Sequence, residues 1–164
     1  VVYSMLKRWF SLPLLGALLL SALLLGVLLF SLSVPGFSAP LEVTSAWARA
    51  TPPGARVGAV YMDLFNPGNV NQTIVQVETA VARTAQIHRT INANGMLKMR
   101  SAMPLTIGAG QGVSLAPAET HMMLMGLSQP LVAGSSFNVT LVLQSGEALS
   151  VEVSVGTPGQ MGAP

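Results

Sequence analysis

Apolar side chains in this chain recur at every second position in short runs, and Gly, Pro and Asn cut the runs apart, a rhythm that sheets satisfy and helices do not. Phe137, Val139, Leu141 and Leu143 would share one face of a strand, with Asn138, Thr140, Val142 and Gln144 on the other. The same reading predicts strands over Leu41 to Ala50, Val57 to Phe65, Thr73 to Val77, Ala85 to Ile91, Met96 to Ser101, Gly112 to Leu115, His121 to Met125, Phe137 to Gln144 and Ala148 to Val155. Between them stand turn formers such as Thr51-Pro52-Pro53-Gly54, Asn66-Pro67-Gly68-Asn69 and Asn92-Ala93-Asn94-Gly95. Only a weak helical period after Thr79 interrupts the pattern. Many short strands without a strand–helix–strand rhythm predict an all-β sandwich with Greek-key connections.

The N-terminal segment reads differently. Lys7 and Arg8 precede an apolar run from Leu12 to Leu32, followed by Pro35, Gly36 and the small pair Ser38 and Ala39. Positive, apolar, small is the order of a secretory signal, and a run of this length also suffices to span a bilayer. Residues 1–39 are therefore expected to be a signal peptide or an N-terminal membrane anchor, with residues 12–32 as the tether if it is retained. Lys7 and Arg8 would hold the short N-terminal side in the cytoplasm and send the domain out. That leaves residues 40–156 as one β-sandwich domain and 157–164 as a flexible Gly- and Pro-rich tail.

From Pro40 onward six basic residues (Arg49, Arg56, Arg83, Arg89, Lys98, Arg100) balance six acidic ones (Glu42, Asp63, Glu78, Glu119, Glu147, Glu152). A neutral domain lacks the overall charge of a nucleic-acid binder, and that class is excluded. Cysteine is absent, which removes disulfides, thiolate catalysis, zinc ribbons, iron–sulfur clusters and lipid attachment at a leader cysteine. A soft metal would have to be held by methionine.

The chain has two histidines, His88 and His121, each on a predicted strand, and six of its nine methionines lie between Met96 and Met125. Strand residues two apart share a face, so His121 and Met123 can aim an imidazole nitrogen and a thioether sulfur at one point, with Met122 turned toward the core. An Asn94-Gly95 hairpin would bring His88 and Met99 to neighbouring positions across a ladder. Two imidazoles and two thioethers, all neutral, suit Cu(I). No carboxylate lies within two positions of His88, Met99 or Met123, which argues against calcium, magnesium and carboxylate-bearing iron sites. Glu119, two before His121, could orient that ring. Methionines in strands more often fill core gaps, however, and a single histidine is more often a satisfied polar residue than a ligand. The residues alone leave both readings open.

The spacing His88, ten residues, Met99, twenty-one residues, His121, one residue, Met123 resembles that of the periplasmic copper chaperone family PCu(A)C. Ala46-Trp47-Ala48-Arg49-Ala50 with Pro53-Gly54, Ala59-Val60-Tyr61-Met62, His121-Met122-Met123-Leu124-Met125-Gly126-Leu127 and Gln129-Pro130-Leu131 extend the likeness over most of Leu41 to Val155. The resemblance implies a cupredoxin-like sandwich that binds one Cu(I) through His88, Met99, His121 and Met123. It further implies a periplasmic chaperone that delivers the ion for assembly of the dinuclear copper centre of cytochrome oxidase, to the copper-bearing subunit or alongside a Sco-type thiol protein. Two departures stand out. Thr90 sits where many relatives carry a fifth donor, and the tail has Met161 but no histidine, so the Cu(II) capture of some relatives' tails has no counterpart.

No catalytic activity is expected: there is no cysteine nucleophile, and both histidines are assigned to metal. The rival reading is a metal-free exported β-sandwich interaction module with a Met-rich contact patch. A blue-copper redox protein is excluded because such sites require a cysteine thiolate.

Overall fold

The structure, a computed structural model, describes residues 39–93 and 95–163. The leader expectations, residues 1–39 with the run 12–32, fall outside the described residues apart from Ala39. The described chain forms ten strands: β1 (Glu42–Arg49), β2 (Val57–Phe65), β3 (Gln72–Thr79), β4 (Ala82–Ala93), β5 (Met96–Ser101), β6 (Leu105–Ile107), β7 (Gly112–Leu115), β8 (Thr120–Leu127), β9 (Ser136–Leu143) and β10 (Ala148–Gly156). The weak helical period after Thr79 forms no helix. Ala82 opens β4 instead, because Ala85 and Ile87 bury with a period of two against the core. The three-residue β6, directly after Pro104, was too short to stand out in the sequence. The buried Asn66 anchors it by donating from Nδ2 to the carbonyls of Ile107 and Gly108, each at 3.1 Å.

Hydrogen bonding runs continuously in the order β5-β4-β8-β2-β1-β10-β9-β3-β6, with β7 added to β2. Ile87, Met122 and Val60, from β4, β8 and β2, share one buried cluster with Ile74, Leu141 and Val153, from β3, β9 and β10. Strands so far apart along the path can bury their side chains together only if the sheet folds over on itself. The architecture is therefore the all-β, cupredoxin-like Greek-key sandwich expected. The first and last strands, β1 and β10, lie parallel with Trp47 opposite Ser154.

Two local features shape the face that carries Tyr61, Met99 and Met123. Between Thr44 and Trp47 the β1–β2 register slips by one residue, with Ser45 at φ 55°. The bulge puts Trp47 opposite Tyr61 and so turns Trp47 and Arg49 onto the face that carries Ala59 and Tyr61. At the other end, Ala93 pairs with Met96 across the two-residue turn that contains Gly95, whose φ of 81° favours a residue without Cβ. The Gly95 amide donates to Asn92 Oδ1 at 2.8 Å.

Candidate metal centre

Ladder register fixes which side chains meet. In the β4–β8 pair, His88 stands directly opposite His121 and Gln86 opposite Met123. In the β4–β5 pair, Met99 stands opposite Thr90, and His88 opposite Ser101. Directly opposed residues share a face, so His88, Met99, His121 and Met123 all lie on one side of the three adjacent strands β5, β4 and β8. The intervening residues Ala85, Ile87, Met122 and Leu124 face the other way and are buried in the core. Met122 is fully buried, whereas Met123 is half-buried on the opposite face.

Met99, His121 and Met123 line a single cavity of about 510 Å³, together with Thr90 and Leu97 on the hairpin side and Arg49, Val57, Ala59 and Tyr61 on the sheet side. The Arg49 guanidinium lies over the Tyr61 ring, 5.6 Å from its centroid, and Tyr61 packs on Trp47 with ring centroids 4.6 Å apart. His88 does not line this cavity. Its place is set by the rungs: one across from His121, and one diagonal from Met99, a separation of about 7 to 8 Å between backbones.

The two imidazoles are held by different atoms. His121 is 7% exposed, and its Nδ1 lies 3.1 Å from the Glu119 carbonyl oxygen, a contact in which Nδ1–H donates and Nε2 is left as the free lone pair. Glu119 thus meets His121 through its backbone rather than its carboxylate. The same carbonyl accepts from the Thr90 amide at 3.2 Å, which ties the start of β8 to β4. His88 Nε2 lies 3.2 Å from Gln86 Oε1, and its Nδ1 is buried with no hydrogen-bond partner. A buried, unpartnered ring nitrogen is costly unless something satisfies it, and a metal would do so. Among the described residues no group of three or more His, Cys, Asp or Glu gathers as a metal site. A soft, neutral donor set is what this face offers.

The fourth residue contrasts with the other three. Every residue of β5 is exposed, and Met99 is 56% exposed beside Met96 and Leu97 at 60% and 74%. The one-sided rungs of β4 and β8 were open to sequence reasoning, since parity alone fixes them. The opposition of His88 to His121, and the Gln86 contact, needed the pairing of strands that are not neighbours in sequence.

Comparison with known proteins places the chain by sequence and by fold. The LpqE-like family model matches residues 41–155. "Putative lipoprotein Lxx21020" of Leifsonia xyli is 35% identical over 127 residues, 76% of this chain and 75% of that one. The solution structure of Cu(I)-DR1885 from Deinococcus radiodurans is 34% identical, covers 73% of this chain and 80% of its own, and superposes with a TM-score of 0.60. The copper-bound PCuAC domain from PmoF2 covers 76% of this chain and all of its own with a TM-score of 0.62, a likeness of fold at 19% identity. With this match over the sandwich and this fold, the chain belongs to the LpqE-like, PCuAC-type family.

Proposed function

We propose that the chain is an exported copper chaperone that carries one Cu(I) on His88, Met99, His121 and Met123 and passes it to another protein. The observation that carries the reading is the convergence of two imidazoles and two thioethers on one face of β5, β4 and β8, with the buried His88 Nδ1 lacking any protein partner. The copper-bound relatives support the choice of cargo. His121, held through Nδ1, would offer Nε2, and His88, held through Nε2, would offer Nδ1. Four neutral donors leave the ion's single charge intact and bind it without the strength of thiolates, so an acceptor can exchange them one at a time. Met99, the exposed member, would leave first.

Delivery for assembly of the copper centre of cytochrome oxidase, in the periplasm, is the finer reading that the family supports. The relative named as a lipoprotein fits an exported, membrane-tethered protein. This sequence has no cysteine to carry a lipid, so a tether here would rest on the apolar run 12–32.

Anaerobic titration with Cu(I) against a competing chelator tests the proposal. About one equivalent should bind, and Met123→Ala should lose it without unfolding. A chain that takes up no copper would instead be the metal-free module whose exposed Met96, Leu97 and Met99 form a contact patch.

A further inference from the structure

The β4–β5 hairpin has a second face that the metal centre does not use. Arg89, Ile91, Lys98 and Arg100 lie on the side opposite Thr90 and Met99, and the ladder sets Arg89 directly across from Arg100 and Ile91 across from Lys98. All four are exposed. Like charges placed directly opposite one another destabilise a sheet, and none of these cations forms an ion pair among the described residues. Arg89 makes only a long contact from Nε to Thr120 Oγ1 at 3.4 Å, and the Glu119 side chain, at the near end of β8, pairs with none of them. The sandwich as a whole carries as many acidic as basic residues, so this cluster stands out on a neutral domain. It contributes nothing to the core, since no residue of β5 is buried.

From this juxtaposition we propose that the hairpin is the docking arm for an acidic protein that takes the copper, with Arg89, Lys98 and Arg100 drawing in carboxylates around the acceptor's metal-binding residues. The inference rests on the copper reading above and names its partner by chemistry. Lys98 and Arg100 flank Met99 on β5 but project from the other face, and because β5 is an edge strand a partner held by them reaches the most exposed donor around its free edge. The ion's charge is not neutralised by its thioether and imidazole donors, which adds to the attraction for an anionic acceptor. In the transfer, a thiolate sulfur of the acceptor forms a bond to Cu(I) as the Met99 sulfur leaves. The thiol proton passes to solvent, and copper stays monovalent throughout. A protein is favoured over an anionic membrane because a lipid headgroup offers no sulfur or imidazole to receive the ion.

The test uses the copper-loaded full chain and two synthetic dithiol peptides with the same Cys-Gly-Gly-Cys core and matched Cu(I) affinity, one flanked by aspartates and one by serines. Stopped-flow transfer at low ionic strength should be about tenfold faster to the aspartate peptide, an advantage that fades in high salt. In the full chain carrying Lys98→Gln and Arg100→Gln, copper stoichiometry should hold while the two peptides become equivalent. Equal rates with the unaltered chain, or a preference that survives the double substitution, would overturn the proposal, as would hairpin-dependent binding to anionic phospholipid vesicles without peptide discrimination. Equilibrium binding of the copper-free chain to the same peptides with serine in place of cysteine separates the two readings. Discrimination without any copper uptake would leave the docking arm standing and remove the chaperone function, and copper uptake without discrimination would do the reverse.

Discussion

The two hairpins β9–β10 and β4–β5 follow the same antiparallel plan and use it for opposite ends. In β9–β10, Val139, Leu141, Leu143, Val151, Val153 and Val155 are buried, and the strands make much of one wall of the core. In β4–β5, burial stops at Ile87, and the rest of the hairpin carries His88, Met99, cations and exposed apolar side chains. Regular strand geometry is thus no guide to what a hairpin is for. Substitutions in the first should register in stability and those in the second in binding.

The largest separation is expected from Leu141→Ala, which opens a cavity in a fully buried position and should cost about 2 to 5 kcal/mol while the folded fraction still binds copper. Chemical denaturation with parallel Cu(I) titration reads both, and a loss of copper stoichiometry in the folded protein would break the contrast. Next comes Met123→Leu, which removes one donor at nearly constant volume and should weaken Cu(I) by on the order of a hundredfold, with little change in denaturation midpoint. Met99→Ala should weaken it by on the order of tenfold, since an exposed donor on an edge strand is less firmly placed. Competition titrations on the two variants rank them, and an unchanged affinity in both would remove the proposed ligand set.

Gly95 and Gly146 allow a finer test, because both sit in hairpin turns with positive φ, at 81° and 90°, and an added Cβ at either meets nothing within 4 Å. An alanine at either position should cost about 1 to 2 kcal/mol of backbone strain. In Gly146→Ala the cost should appear in global unfolding, and in Gly95→Ala in copper affinity with global stability nearly untouched. Smallest of all should be Met122→Leu and Met125→Leu, with less than about 1.5 kcal/mol in stability and unchanged Cu(I) binding. A collapse of affinity in Met125→Leu with Met123→Leu intact would show that the wrong methionine has been assigned.

Legibility in the sequence followed the range of the interactions. The bounds of β2, β5 and β7 could be read from alternation and turn residues because both signals are local. So could the separation of Met122 from Met123. The register of the β4–β5 hairpin was not legible: the strands expected on either side of Asn92 to Gly95 would set Met99 near His88, but β4 continues to Ala93, and counting back from Ala93 and Met96 puts Met99 opposite Thr90 with His88 on the diagonal. The pairing of β4 with β8 joins segments about thirty residues apart in sequence, and no local rule sets which rung of one meets which rung of the other. The bulge at Ser45 was equally hidden: alternation across Thr44 to Trp47 is what a bulge interrupts.

Because β5 shares no side chain with the core, it can be rewritten without renegotiating the fold. Within a family that keeps the sandwich and the proposed ligand Met99, the other five positions of this edge are where lineages can diverge, exchanging one recipient for another by changes in a few solvent-facing residues. If the hairpin is the docking arm proposed above, comparing it across organisms would track the acceptor, while the buried positions of the other strands record the shared sandwich.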